Sequence, residues 1–441
     1  MPGLRHIAAA TALVLGCGWG FGGSPLAAQW TGESTGAVDE AAKFATRLEY
    51  AEAVRILELA LIEGDTSEQL RIDLSRYYRK VGDLRKATAL AKPLVDKPRP
   101  RPWHLLEVSG MLVDQGRFTE AEKYLRRFEE LKPEDTRAER LRERGRRHTR
   151  IRPLYAHARL DTFLHNTPAD DNFPSLRRDA SGRPDAFMWS SDRPYRKSES
   201  GWTGRAMVGL YGVPLGGDPA AEPAPPQRIP GRFNRGTVNV ASSWTTATGD
   251  TLFYTANAPE LNKHHELNMQ LYFVTRRRGD ESGDIDLGEW RAATRVPTQP
   301  ADPSCLHPTV SADGRYIYYA ADALLSRGGL DLYRIAIGRD GTWGQPEHLG
   351  PTVNTDRHDA FPVAADDGAL YFASQGHANL GGFDIFVTRE RPDGSWTEPR
   401  NLGEPINGEH DETGWLPVRL GSAYLVSDRV GGDDDIYLVE W

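Results

Sequence analysis

From residue 36 to residue 150 apolar side chains return every three or four positions, the period of helices that bury one face. Tyr50, Ala53 and Leu57 make one such row, Leu84, Ala87 and Ala91 the next, and Phe118, Ala121 and Leu125 a third. The three middle alanines are 34 residues apart, and a small residue at that place lets two helix backbones approach closely. Gly82 and Gly116 supply turns between paired helices, and Pro133 closes the last unit. The pattern predicts an α-solenoid of three helix pairs, the smallest stack that buries a continuous core.

Beyond residue 150 the period changes to that of short strands. Asp331-Leu332-Tyr333, Asp384-Ile385-Phe386 and Asp435-Ile436-Tyr437 recur at a spacing of about 50 residues, which reads as propeller blades. Around the first two, Asp313-Gly314 matches Asp367-Gly368, Trp343-Gly344-Gln345-Pro346 matches Trp396-Thr397-Glu398-Pro399, and Leu349-Gly350 matches Leu402-Gly403. Each unit reads as a Pro-containing innermost strand (His307-Pro308, Phe361-Pro362), an Asp-Gly turn, an aromatic strand, a third strand after Gly-Gly, and an outer strand starting near Trp343 or Trp396. That is a four-stranded blade. Two less regular units precede these, so the expected count is five blades, with six as the alternative.

The last unit supplies three strands before Trp441. At the other end, Asn166-Thr167 precedes Asp171-Asn172-Phe173-Pro174 at the spacing with which Asn354-Thr355 precedes Asp359-Ala360-Phe361-Pro362. The stretch Tyr155 to Leu164 is therefore an outer strand with no blade of its own. It is expected to complete the last blade and close the ring, which removes the exposed sheet edges. The fold class is multidomain α and β, with helical repeats over 36–150 and an all-β propeller over 151–441.

These motifs carry a family resemblance. The 34-residue helical period resembles tetratricopeptide repeats. The blade pattern of Pro, Asp-Gly, aromatic strand, Gly-Gly-x-Asp-Ile-Tyr, Trp-x-x-Pro-x-x-Leu-Gly and Asn-Thr resembles the WD40-like (PD40) repeats of bacterial envelope proteins. The combination is similar to the PorE- and TolB-like propeller proteins, over residues 36–441 and most strongly over 305–441. The resemblance implies partners in secretion or outer-membrane assembly. Such proteins often continue into an OmpA-like peptidoglycan-binding domain, and this sequence stops at Trp441, so peptidoglycan anchoring is not implied.

Charge sharpens this reading. Residues 30–150 carry 25 Lys/Arg against 22 Asp/Glu, and residues 151–441 carry 28 against 40. An acidic C-terminal half argues against nucleic acid, whose binding depends on phosphate neutralisation. Residues 1–28 read as an export signal, with Arg5 and His6 before the apolar run Ile7 to Leu15 and small residues Ala27-Ala28 at a cleavage site. Val14-Leu15-Gly16-Cys17 also resembles a lipobox, which makes Cys17 a lipidation candidate, with 1–16 as the leader in that case. Either processing places the chain in the cell envelope, in the periplasm or at the outer membrane. Arg137 to Arg150 holds seven arginines and two glutamates, either a patch for an anionic partner or a polar helix that caps the stack.

Candidate chemistry is sparse. Cys17 and Cys305 are the only cysteines, so no disulfide framework forms, and Cys305 reads as a small buried hydrophobe. The histidines do not recur at one blade position: the places equivalent to His307 are read as Phe173, Phe361 and Leu416. No metal ligand set results, and no cofactor is expected. Asp433-Asp434-Asp435 lacks the alternating ligands of a calcium loop. Asp171, Asp359 and Asp411 precede innermost strands near the rim, as partner-binding candidates in an acidic ring or as loop caps. The sequence thus points to an exported, non-catalytic scaffold that binds envelope proteins, and not to an enzyme. The alternative is a carbohydrate-active or glycan-binding propeller that uses rim carboxylates.

Overall fold

A computed structural model of the chain describes residues 36–441, apart from 48, 82, 149–150, 180, 196–203, 216–223, 258–267, 277–289, 299–302, 324, 339 and 431. The leader over 1–28 and Cys17 lie outside the described residues, as do Gly82 and His264-His265. The chain divides into two compact units, Met1–Arg150 with Glu199–Arg205, and Ile151–Ser198 with Ala206–Trp441.

Among the described residues the first unit holds seven helices: α1 (Gly36–Ala45), α2 (Tyr50–Ile62), α3 (Glu68–Lys80), α4 (Leu84–Val95), α5 (Pro102–Asp114), α6 (Phe118–Leu131) and α7 (Arg137–His148). In α6 the buried residues Ala121, Tyr124, Leu125 and Phe128 fall at helical spacing, so one stripe faces the core. Ala53, Ala87 and Ala121 are each at most 1% exposed, as close helix crossing requires. The side chain of Ser67 accepts from the N–H of Leu70 and that of Asp83 from Lys86, which caps α3 and α4. Within the arginine-rich segment, Arg142 binds Glu122, Glu129 and Glu139, and so fastens α7 to α6. None of the described helices is long and apolar enough to cross a membrane.

The second unit is a five-bladed β-propeller. Blade 1 comprises β2 (Asp171–Arg178), β3 (Pro184–Ser191), β4 (Gly209–Pro214) and β5 (Gln227–Arg228), and blade 2 comprises β6 (Val240–Thr245), β7 (Thr251–Asn257), β8 (Met269–Thr275) and β9 (Thr294–Arg295). Blade 3 comprises β10 (Cys305–Val310), β11 (Tyr316–Ala321), β12 (Asp331–Ala336) and β13 (Glu347–His348), and blade 4 comprises β14 (Asp359–Ala364), β15 (Ala369–Ser374), β16 (Asp384–Arg389) and β17 (Arg400–Asn401). Blade 5 takes β18 (Glu412–Arg419), β19 (Ser422–Ser427) and β20 (Asp435–Glu440), and its outer strand is β1 (Arg159–Thr162) from the start of the unit. The third strands of blades 3, 4 and 5 begin at the recurring aspartates. The outer strands start later than the tryptophans suggest: Trp343 and Trp396 form isolated bridges to Ile337 and Glu390, and the prolines that follow interrupt the ladder.

Ring closure follows the register Arg159↔Glu440, Leu160↔Val439, Asp161↔Leu438 and Thr162↔Tyr437. A recurring asparagine clamps the third strand in four of the five blades. The Asn166 amide donates to the Ile436 carbonyl at 2.8 Å and accepts from its N–H at 3.2 Å. Asn354 does the same to Leu332, Asn407 to Ile385 and Asn234 to Leu210. The Asn-Thr element therefore marks the place where a loop grips the third strand of the blade it leaves. Apolar side chains such as Trp189, Val426 and Ile436 fill the space between adjacent blades.

Candidate functional site

The innermost strands surround the central channel, and three of them put an aromatic ring at the same place. Phe173, His307 and Phe361 have φ of 52°, 57° and 55°, and Ser242 shares the conformation at 35°. A non-glycine residue rarely adopts positive φ, and here bulges in four blades impose it. The rings stack, with centroids 4.1 Å apart for His307 and Phe361, 5.1 Å for Phe173 and His307, and 5.5 Å for Phe173 and Phe361. His307 Nδ1 accepts from the Phe361 N–H at 3.3 Å, and burial pushes its pKa down to about 3. His307 is thus a neutral member of an aromatic plug. The fifth place belongs to Gly414, because the bulge lies between Glu412 and Gly414. Leu416, expected there from the sequence, instead packs in the core between blades 5 and 1.

Three positions before each plug residue stands a side chain that clasps the preceding blade. Asp170 accepts from the N–H of Asp434, Asn239 from Val208, Ser304 from Met269, His358 from Leu330 and Asp411 from Phe383. The N–H groups of Asp170, Asn239, Ser304 and Asp411 donate in turn to Asp192, Asn257, Asp322 and Asp428, which end or directly follow the second strands. A band of carboxylates and amides thus surrounds the end of the propeller where the innermost strands begin.

Pairs of acids occupy three of the seams between blades. Asp331 stands beside Asp359, Asp384 beside Glu412, and Asp435 beside Asp171. Asp171 and Asp359 have no exposed surface. Asp171 accepts from the Thr167 N–H and hydroxyl, from Trp189 and from Arg193. Asp359 accepts from the Thr355 N–H and hydroxyl and from Ser374. These are loop caps, and neither offers an oxygen to a partner, which corrects the acidic-ring reading for both. Asp411 is half-buried and carries the clasp to Phe383.

Asp435 differs from its counterparts. Asp331 accepts from the N–H groups of Arg327 and Gly328 and contacts His348, and Asp384 accepts from those of Leu380 and Gly381 and from Asn401. Blade 5 borrows its outer strand, and Thr162 stands opposite Tyr437 where His348 and Asn401 stand opposite Tyr333 and Phe386. The Asp435 carboxyl makes no such bonds among the described residues, and it is half-buried. Burial pushes it up to about 7, reinforced by the charges of Asp171, Asp433 and Asp170. A sequence signal existed: the Asp triplet repeats the recurring Asp, but without an outer-strand His or Asn behind it.

Other sites are quiet. Burial pushes the Cys305 thiol up to about 12, which leaves it unreactive. Among the described residues no group of three His, Cys, Asp or Glu is placed to hold a metal ion.

No protein-family model and no curated protein matches the chain. Solved structures do. An alpha-L-arabinofuranosidase from Lactobacillus brevis aligns over 62% of this chain and 90% of its own, at 14% identity and a TM-score of 0.42. A beta-xylosidase aligns over 64% and 94%, at 10% identity and a TM-score of 0.39. A thermostable family-43 glycoside hydrolase aligns over 63% and 90%, at 12% identity and a TM-score of 0.37. Likeness at this level speaks for the propeller fold alone. Two expectations are corrected here, that the chain is a non-catalytic scaffold and that it is not an enzyme. Among the structures matched, four are titled as an arabinofuranosidase, a beta-xylosidase, a family-43 glycoside hydrolase and a GH93 arabinofuranosidase, and others as a puromycin hydrolase and the tricorn protease, and two of the three rim residues proposed for the adaptor are interior.

Proposed function

We propose that the protein is a carbohydrate-active enzyme that takes a glycan at the end of the propeller where the innermost strands begin, with Asp435 as proton donor. The observation that carries this reading is the Asp435 carboxyl, half-buried, pushed up to about 7 and, among the described residues, without a counterpart of the His348 and Asn401 that contact Asp331 and Asp384. A carboxyl that keeps its proton near neutrality beside other carboxylates is the environment that separates an acid from a base. In glycoside cleavage the acid protonates the departing oxygen as the C–O bond breaks, while a second carboxylate draws a proton from the attacking water or attacks the sugar itself. Asp433, half-buried two residues earlier, is the second carboxylate to test. The amide and carboxylate groups of Asn257, Asp322 and Asp428, each partly exposed, suit sugar hydroxyls, which both donate and accept.

Incubation with a panel of purified polysaccharides, followed by measurement of new reducing ends, tests this reading. The wild type is expected to release them, and Asp435→Asn to do so roughly 100-fold more slowly with unchanged circular dichroism. Equal release by both proteins, or release by neither, overturns it.

The 34-residue period supports a finer reading of the helices as three tetratricopeptide-like pairs with α7 as the cap. The leader pattern supports export to the bacterial envelope with Cys17 as the lipid-modified residue, where envelope proteins are the available partners. Mass spectrometry of the mature N-terminus tests both processing routes.

A further inference from the structure

Ser191-Asp192-Arg193 at the end of β3 and Ser427-Asp428-Arg429 at the end of β19 are the same tripeptide at the same place in blades 1 and 5. Each arginine reaches back to the acid that opens the innermost strand of its blade. Arg193 Nε donates to the Ser191 hydroxyl at 3.0 Å, and its Nη2 donates to Asp171 Oδ1 at 2.6 Å and to the His165 carbonyl at 3.2 Å. Arg429 Nε donates to the Ser427 hydroxyl at 3.1 Å, and its Nη2 donates to Glu412 Oε1 at 3.0 Å and to the Ile406 carbonyl at 2.6 Å. In blade 4 the tripeptide reads Ser374-Gln375-Gly376. The acid of that blade, Asp359, is held by the Thr355 N–H and by the hydroxyls of Thr355 and Ser374.

This difference decides where a proton can sit. Around Asp171 the Thr167 N–H, the Trp189 indole and the Arg193 guanidinium can only donate. The Thr167 hydroxyl accepts from the Ala169 N–H and gives its own hydrogen to Asp171. No acceptor remains there for an acid proton, and the arginine is always charged. Around Asp359 the Ser374 hydroxyl takes the place of the indole and the guanidinium, and a hydroxyl can turn to accept.

Two carboxyls that share a site do not both ionise readily. Where the arginine is present, the partner on the third strand is pushed up: Asp435 by burial and the charge of Asp171, Asp384 by burial and the charge of Glu412. Burial lifts Glu412 as well, and Arg429 works against it. Where the arginine is absent, the acid of the innermost strand is the raised one, Asp359 beside Asp331.

Other charged groups surround the pair. Asp170 and Asp433 add to the push on Asp435, and Asp434 meets Asp170 and Asn172. Asp192 accepts from the Asp170 N–H, and His165, held low chiefly by burial, lies near Asp171 and Arg193. From β19, Ser427 stands opposite Asp435, Asp428 contacts His410, and Arg429 is engaged by Glu412. From β1, Thr162 stands opposite Tyr437. Of the two arginines among these, Arg193 is the one bonded to Asp171.

We infer that Arg193 is a positioning residue: its ion pair with Asp171 fixes the negative charge there and leaves the proton of the pair on Asp435. As a statement about catalysis this rests on the function proposed above; as a statement about the proton it does not.

Carbon-13 NMR of the full chain labelled at its aspartate carboxyl carbons follows that proton, with the Asp435 signal assigned by its loss in Asp435→Asn. Arg193→Met removes a positive charge, which acting directly on Asp435 raises its midpoint. Acting through Asp171, it is expected to lower the midpoint by at least about one pH unit, as the proton passes to the fully buried partner. Arg193→Lys keeps the charge and is expected to restore the wild-type midpoint. Thr167→Val removes one donor to Asp171, leaves the ion pair in place, and is expected to shift the midpoint the same way by less. It decides the matter if circular dichroism shows that Arg193→Met does not fold. An Asp435 midpoint that stays or rises in Arg193→Met, or in Thr167→Val where the former does not fold, overturns the inference. With a cleaved polysaccharide, the high-pH limb of activity is expected to move with the same midpoint. Absence of cleavage by the wild type sinks the enzymatic reading and leaves the NMR midpoints to judge Arg193.

Discussion

The N–H of Asp171 donates to the carbonyl of Asp434 across 2.7 Å, and through that bond the first blade meets the last. The same seam places Asp435 beside Asp171. Blade 5 is completed by a strand from the start of the unit, so it keeps the ladder of its neighbours but not the outer-strand side chains that contact Asp331 and Asp384. A half-buried carboxyl thus arises where the ring is closed.

Asp384 and Asp435 are expected to respond in opposite ways to loss of the carboxyl. Asp384→Ala strands the N–H groups of Leu380 and Gly381 and the Asn401 amide, at a cost of about 2–5 kcal/mol. Asp435→Asn removes a charge that its surroundings resist, and leaves stability at pH 8 unchanged or raised. Denaturant unfolding of the two variants beside the wild type separates these outcomes.

Stability of the propeller is expected to rise as pH falls from 8 to about 6.5; below that, His307 and His165, whose values burial lowers, take up protons in the unfolded chain first and oppose the rise. Burial raises the carboxyls of Asp359 and Asp435 to about 7, and it also raises those of Asp384 and Glu412. A raised carboxyl favours the protonated form in the folded state, so its contribution is complete below the unfolded value near pH 4 and is lost as pH climbs through the folded value. Glu68 and Glu120 in the helical unit are held low chiefly by Lys97 and Lys92, and they act only below that window. Tryptophan fluorescence melts at pH 6.5, 7, 7.5 and 8 give the slope, and a melting temperature that rises with pH over that window contradicts it.

Asn166→Ala is expected to destabilise the propeller by about 2–4 kcal/mol, from two lost hydrogen bonds and two stranded backbone groups. The loss falls where β1 closes the ring, so it exposes a sheet edge as well as weakening a loop. Light scattering during thermal unfolding is expected to show earlier aggregation than for Asn354→Ala, which makes the same bonds inside the ring.

Phe361→Ala opens the plug and is expected to cost about 3–5 kcal/mol. His307→Phe keeps the stack but loses the acceptor for the Phe361 N–H, and about 1 kcal/mol is expected to go with it. Equilibrium unfolding in urea distinguishes a stacked plug from rings that only line an open bore, for which the alanine variant changes little.

The blades and their closure were legible in the sequence because they rest on repeated local chemistry. Aspartate before an alternating aromatic strand marked the third strands, and the shared Asn-Thr spacing tied Asn166 to Asn354. The plug was not legible, since nothing local signals positive φ at Phe173, His307 or Phe361, and a bulge shifted the fifth equivalence from Leu416 to Gly414. The burial of Asp171 and Asp359 was half-legible: a threonine four residues before each is what turns the carboxylate inward.

The central claim is that the Asp435 carboxyl, protonated near neutrality, delivers its proton to a glycan. The most direct measurement is the pH dependence of reducing-end release from whichever polysaccharide the wild type cleaves fastest, run in parallel with Asp435→Asn. The account expects activity to fall as pH rises through about 7, the value to which burial and its acidic neighbours push that carboxyl, and expects this limb to vanish in the variant. A falling limb that persists in Asp435→Asn, or full activity in the variant at pH 6, contradicts it.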